Sequence, residues 1–314
     1  MFNRIFLVFL FLFQFIIFGF SETDELNLTI DNLRKTKISQ QEIKIIKEIS
    51  SNKNYKQYII SYKSEDLNIN ALMNIPQTKN KDKKFPVIIV NHGYIPPDKY
   101  STINSYKLIC GYFASNGFLV LKSDYRGHAD SDKGEGRPMD SLKYVLDILY
   151  LIEGVYSIPQ ADEKNIFLWG HSMGGEITLK ALEISQKVKS ASLWAPVSAS
   201  FPENQLYFIR KRNKEEADNI YKKITYLFDS SDFKLFSPIE NLNYIKVPLI
   251  IHHGTKDESV PYDWTIELNK GLDKAGVKYT FYSYKNEDHN FSKKYFYIVL
   301  KKDVEFFNSF IDNY

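Results

Sequence analysis

The chain predicts an α/β fold: a mostly parallel central sheet, helices on both of its faces and one helical insertion. Three observations carry this expectation. Short apolar runs such as PVIIVN at 86–91, FLVLK at 118–122 and NIFLW at 165–169 recur between amphipathic stretches. These runs are almost continuously apolar, as strands buried on both faces of a sheet are. The alternation of run and helix continues to the C-terminus and breaks once, between about residues 198 and 242. A length of 314 residues, with 44% hydrophobic and 25% charged, suits a globular protein of one large domain or two small ones.

Met1 to Phe20 carries Arg4 ahead of an apolar run from Ile5 to Phe20, and Glu22, Asp24 and Glu25 follow at once. A basic start, a short apolar core and the small residues Gly19 and Ser21 read as a signal peptide over 1–21, with export to the periplasm or medium. The alternative is a retained membrane anchor, although the run falls a little short of the roughly 18–20 residues that span a bilayer. Residues 22–55 read as a polar leader, with Ile43, Ile45, Ile46 and Ile49 spaced as on a short helix.

The main domain is expected over 56–314. Strands are read at Tyr58–Tyr62, Ile69–Ile75, Pro86–Asn91, Phe118–Lys122, Asn165–Trp169, Ser190–Trp194, Pro248–His252 and Lys278–Tyr284. Helices are read at Ser105–Asn116, Ser141–Tyr156, Met173–Ser185, Asp263–Ala275 and Ser292–Ile311. The aromatic-rich insertion at about 198–242 would lie over the C-terminal strand ends, where open α/β sheets bind ligands, and reads as a lid. The competing reading is a helical pair packed for stability alone.

A net charge of +3, from 41 Lys+Arg against 38 Asp+Glu, gives no electrostatic footprint for nucleic acid. The single cysteine, Cys110, excludes an intramolecular disulfide and a cysteine-rich metal site, and reads as a small core residue. His252 and His253 stand at a strand end, point opposite ways and have no third ligand spaced with them, so no metal is expected.

The chemistry centres on Gly170-His171-Ser172-Met173-Gly174-Gly175, which follows a strand and opens a helix. In that context G-x-S-x-G is a nucleophile elbow: Gly170 and Gly174 stand where the turn leaves no room for side chains. The turn presents the Ser172 hydroxyl at a helix N-terminus, where backbone N–H groups favour developing negative charge. A serine needs a base. Among six histidines, His289 lies in the loop before the last helix, at the same end of the sheet as the elbow, while His171 should point away from the hydroxyl. The base needs a carboxylate. Asp257, in the loop after a strand, completes the chain order Ser, Asp, His, with Glu258 and Asp288 as rivals. The backbone N–H groups of Met173 and of Tyr94, in His92-Gly93-Tyr94, are the expected oxyanion donors. The DYRGHADS loop at 124–131 reads as a pocket wall that Arg126 buttresses through a buried ion pair.

With these residues in view, 56–314 resembles an α/β-hydrolase of the prolyl oligopeptidase family of serine peptidases. The resemblance rests on NHGY at 91–94, DYRGHADS at 124–131, WGHSMGG at 169–175, SPIENL at 237–242, HGTKDESVP at 253–261 and EDHNF at 287–291. It implies peptide or related acyl-bond hydrolysis by Ser172, His289 and Asp257 through an acyl-enzyme. Departures stand beside it. The stretch ahead of residue 56 is too short for the β-propeller of full oligopeptidases. The tyrosine donor of several family members falls at His92, making that residue a supporting candidate. Glu215-Glu216 resemble the paired glutamates of the family's exopeptidases, but their charged surroundings read as a solvated helix face. A carboxylesterase of the same fold is the alternative. The substrate is a peptide or small acyl compound, no cofactor is expected, and a membrane is a partner only if residues 1–21 are retained.

Overall fold

The computed structural model describes residues 26–134 and 140–312. The expected signal segment 1–21 lies outside the described residues. Among the described residues there are nine strands: β1 Lys44–Ser51, β2 Tyr55–Ser64, β3 Leu67–Pro76, β4 Phe85–Asn91, β5 Leu119–Ser123, β6 Ala161–His171, β7 Ser190–Trp194, β8 Leu249–Gly254 and β9 Tyr279–Tyr284. They form one sheet in the order β1-β2-β3-β5-β4-β6-β7-β8-β9. From β5 to β9 every neighbouring pair is parallel, and β1, β2 and β3 extend one edge as antiparallel strands. The strand order reverses at β4, which lies between β5 and β6; such a reversal opens a crevice at the carboxyl ends of the strands.

The helices are α1 Ile30–Lys35, α2 Lys107–Ser115, α3 Tyr144–Gly154, α4 Met173–Ile184, α5 Glu203–Arg212, α6 Lys214–Leu227, α7 Tyr262–Ala275 and α8 Phe296–Asn308. They cover both faces, and the period of two along β4 shows how. Val87 and Ile89 join a buried cluster with Leu149 of α3, Leu179 of α4 and Leu268 of α7. Ile88 and Val90 point the other way, into a cluster with Phe113 of α2 and Phe307 of α8. Cys110 is buried in this second cluster, where burial pushes its thiol up to about 11, so it is an inert core residue.

Residues 43–49 do not form the expected helix. From Lys44 on they belong to β1, which brings the folded domain ahead of residue 56. β1 is an edge strand paired with β2, and its register shifts between Ile45 and Lys47 and again between Glu48 and Ser50. Those irregularities break the period of two, so its isoleucines mimic a helical spacing while Ile45 and Ile46 remain exposed. The last helix is also shorter than expected, because 292–295 form turns before α8. The break in the alternation is real: α5 and α6 lie between β7 and β8, followed by short 3-10 turns.

Candidate active site

Strand β6 ends at His171 and α4 begins at Met173, which leaves Ser172 alone in the turn. Its φ of 58° and ψ of −121° are a conformation that side-chain-bearing residues rarely adopt. The flanking glycines are sterically required. A Cβ on Gly170 would strike Thr178 and the Gly174 carbonyl, and one on Gly174 would strike the Asn91 carbonyl at the end of β4. β4 and β6 are in register up to Asn91 and Gly170, so the 92–94 loop leaves the sheet beside the serine. A Cβ on Gly93 would lie 3.1 Å from the Ser172 Cβ.

The neighbouring strands bring the other partners to the same end. β8 and β9 are paired up to Gly254 and Tyr284, and the loops that follow carry Asp257 and His289. His289 Nδ1 lies 2.7 Å from Asp257 Oδ2. The other carboxylate oxygen accepts the backbone N–H groups of Ser259 and Val260, each at 2.8 Å. His253 Nε2 also reaches Asp257 Oδ2, at 3.0 Å, while its Nδ1 is 2.7 Å from the Thr265 hydroxyl. Burial alone would raise the Asp257 pKa. Hydrogen bonds from His253 and His289, with the charge they can carry, outweigh it and hold this carboxyl well below its ordinary value. The rival Asp288 turns to its own loop, accepting the backbone N–H groups of Asn290 and Ser292 and the Ser292 hydroxyl. Glu258 is exposed.

Ser172, His289 and Tyr94 line two adjoining cavities of about 510 and 420 Å³. The first is built around Tyr106, His171, Trp194 and Phe296. The second follows α4 and is closed by residues of α5, including Asn204, Phe208 and Arg212. Glu215 and Glu216 are exposed on α6 and line neither cavity.

Two supporting expectations need correction. The 124–131 loop lines neither cavity, so it is not a pocket wall. Arg126 does form a buried ion pair, 2.7 Å from Asp147 on α3 and 3.0 Å from Glu65, but what it ties together is this loop, α3 and the β2–β3 turn. His92 is no oxyanion donor. Its ring is fully buried and stacked between Tyr100 and Tyr125, at centroid separations of 4.6 and 4.3 Å. Its Nδ1 lies 2.8 Å from the Gly93 carbonyl, and its Nε2 has no partner among the described residues.

Sequence reasoning missed a hydrogen-bonded chain between the two loops. The Gly93 N–H donates to the Tyr106 hydroxyl at 2.9 Å, and that hydroxyl lies 2.6 Å from His171 Nδ1. His171 Nε2 is 3.1 Å from the His289 carbonyl oxygen. One set of protons satisfies every link: Tyr106 O–H donates to Nδ1, and a neutral His171 donates Nε2–H to the carbonyl. Burial, then the nearby His289, pushes His171 down to about 3, which keeps that neutral form. His171 does point away from the serine, as its place in the elbow suggests. Tyr106 stands in no motif, so nothing in the sequence marks it.

The observation that decides the family is the match of a family model described as the prolyl oligopeptidase family to residues 104–313. The chain belongs to the prolyl oligopeptidase family. Prolyl endopeptidase FAP of Bos taurus is 25% identical over 278 residues, covering 81% of this chain and 34% of that protein. The chain thus spans about a third of the length of such a relative. The acylaminoacyl peptidase of Pyrococcus horikoshii superposes with a TM-score of 0.65 at 21% identity, over 84% of this chain and 43% of that one. Acetyl Xylan Esterase 1 of Thermoanaerobacterium superposes with a TM-score of 0.62 at 20% identity, over 90% of this chain and 93% of that one. These likenesses show the α/β-hydrolase fold.

Proposed function

We propose that this prolyl oligopeptidase family member is an exported serine hydrolase that cleaves peptide or related acyl bonds through an acyl-enzyme on Ser172. The observation that carries the reading is the 2.7 Å contact of His289 with Asp257, on a cavity wall shared with the strained Ser172. Ser172 Oγ attacks the carbonyl carbon while His289 Nε2 takes its proton, and Asp257 fixes the tautomer and stabilises the imidazolium. The oxyanion is held by two backbone N–H groups. Met173 opens α4, so its N–H has no carbonyl one turn behind it. The Gly93 N–H is already bound to Tyr106, which leaves the Tyr94 N–H as the donor from the other loop. The C–N or C–O bond then breaks as His289 returns the proton to the leaving group, and water repeats the sequence on the acyl-enzyme. The chain supplies every group this scheme needs, so a chelator is expected to leave turnover unchanged. α5 serves as the lid, and residues 1–21 are removed on export; the N-terminus of the exported protein tests the latter.

A carboxylesterase is the second reading. With Glu215 and Glu216 exposed, no carboxylate pair among the described residues lines the cavities to hold a peptide amine, and a protein named as an acetyl xylan esterase shares the fold at nearly the same length. Assaying p-nitrophenyl esters beside peptidyl anilides separates the two. Fluorophosphonate labelling tests the shared chemistry: wild type should be labelled and Ser172→Ala should not, and equal labelling would remove the nucleophile.

A further inference from the structure

Asp257 serves two imidazoles, and the scheme above uses only one of them. His252 and His253 are consecutive in β8, so their rings leave the sheet on opposite faces. His252 meets Asp303, with 3.0 Å between its Nε2 and Oδ1. His253 turns the other way, and its Nε2 lies 3.0 Å from Asp257 Oδ2. The side chains of His253 and Asp257 are both fully buried. Behind them α7 supplies the Thr265 hydroxyl, also buried, 2.7 Å from His253 Nδ1. Thr265, His253, Asp257 and His289 thus form one line of hydrogen bonds that ends at the base.

The acceptor fixes the protons on that line. Asp257 Oδ1 is occupied by the backbone N–H groups of Ser259 and Val260, so Oδ2 faces the two imidazoles. An ionised carboxylate only accepts, so His289 Nδ1 and His253 Nε2 each point a proton at it. For His289 this leaves Nε2 free to take the serine proton. For His253 it leaves Nδ1, which accepts the Thr265 O–H if the ring is neutral and donates to that oxygen if it is cationic. Charge chooses between the two. A cation at His253 would repel the imidazolium that forms on His289 and divide the carboxylate that stabilises it. A buried ring also loses hydration when it charges. Among the described residues no other carboxylate pairs with either imidazole. Lys256 and Glu258 are exposed, while Glu287 and Asp288 accept backbone N–H groups of their own loop. The neutral His171 ring lies 4.5 Å from that of His289, and the Tyr262 ring of α7 lies 5.3 Å from that of His253.

We infer that His253, oriented by Thr265, is a positioning residue for acyl transfer: as a neutral donor it shares Asp257 Oδ2 with His289, which fixes the carboxylate and tempers its pull on the base. The inference rests on the acyl-enzyme reading above. Removing the donor concentrates the charge of Oδ2 on His289, which then keeps its proton to a higher pH. His253→Leu should therefore move the acid limb of the kcat/KM profile up by about half a pH unit or more, read on p-nitrophenyl acetate, which carries no titrating group. His253→Gln puts an amide N–H where Nε2–H stood and should return the limb toward its wild-type position. The position of the limb does not depend on how much protein folds. A His253→Leu limb that stays in place or moves down overturns the role, and so does a His253→Gln limb displaced as far as that of His253→Leu. If neither variant folds, nitrogen NMR of the wild-type histidines decides. His253 should remain a neutral Nε2–H ring through the pH range of the limb; a ring that is cationic on the plateau, or protonated at Nδ1 alone, overturns the role. If wild type hydrolyses neither this ester nor a peptidyl anilide, or Ser172→Ala hydrolyses them equally well, the acyl-enzyme reading fails and takes this inference with it. Hydrolysis that needs Ser172, with an unmoved limb in His253→Leu, removes His253 alone.

Discussion

Ser172 holds a backbone conformation that costs free energy, and the two glycines beside it exist to permit it. On the proposed acyl-enzyme route the attacking group is the serine hydroxyl, so Ser172→Ala should lower kcat by on the order of 10³ or more, measured on a p-nitrophenyl ester. At the carboxylate, Asp257→Asn should fold normally and turn over slowly, because an amide can hold the imidazole in the wrong tautomer and adds no charge. Asp288→Asn should keep most of its turnover, since that side chain serves its own loop. The reverse pattern would transfer the role to Asp288. Tyr106 is a positioning residue: it touches Gly93 and His171 rather than the reacting atoms. Tyr106→Phe should lower kcat more than it raises KM, and should shift the pH profile of kcat/KM, because Gly93 and His171 both lose a partner and the two loops are uncoupled. A profile superimposable on wild type would reduce Tyr106 to packing. Ser172, Asp257 and His289 could be singled out from the sequence because each lies in a motif whose chemistry fixes its neighbours, and the structure sets His289 against Asp257. Tyr106 could not, because its role comes from a contact with His171 that no local pattern encodes.

Among the elements, α8 is anchored by a single buried carboxyl group. Asp303 accepts the indole N–H groups of Trp169 at 3.0 Å and Trp194 at 2.8 Å. It also takes the Ser192 hydroxyl at 2.7 Å and lies 3.0 Å from His252 Nε2. One helical residue thereby ties β6, β7 and β8 to α8, directly behind the strand ends that carry the site. Asp303→Leu strands several buried donors at once and should cost about 3 kcal/mol or more, read as a lower urea midpoint; an unchanged midpoint would show the cluster to be dispensable. The alternation of apolar runs made the parallel strands and their covering helices legible to within a few residues. β1 was misread because an edge strand with two irregularities has neither a buried face nor a regular period to display.

For the molecule as a whole, the buried histidines make stability depend on pH. Burial pushes His171 down to about 3, and lowers His92 and His128 as well. Each is neutral when folded but protonated below its unfolded pKa of about 6.5. The unfolded chain therefore binds more protons in that range. Their contribution is fully present above about pH 6.5 and is lost as pH falls toward the folded values. Asp124 opposes this: burial raises it to about 6, so its contribution is present at low pH and lost as pH rises toward that value. His92→Phe keeps a ring between Tyr100 and Tyr125 and deletes one titrating group. Urea unfolding from pH 7 to 5 should show the variant losing less stability than wild type, by up to about 1.4 kcal/mol per pH unit. Parallel curves would remove His92 from the account.

By itself the sequence determined the α/β architecture, the elbow and the order of Ser172, Asp257 and His289, because these depend on local periodicity and on turns that only glycine permits. The break at 198–242 was also visible, since two polar helices interrupt a regular pattern. Only the tertiary structure decided where the buried polar groups point. It moved His92 from the site into an aromatic stack, set Arg126 against α3, joined Tyr106 to His171 and placed Asn204 beside Glu176. These pairings join residues 21 to 65 positions apart or immediately outside a motif, and the chain's spacing holds no record of them. Their outcome depends on which donor and acceptor meet once the sheet has brought separate loops to one end.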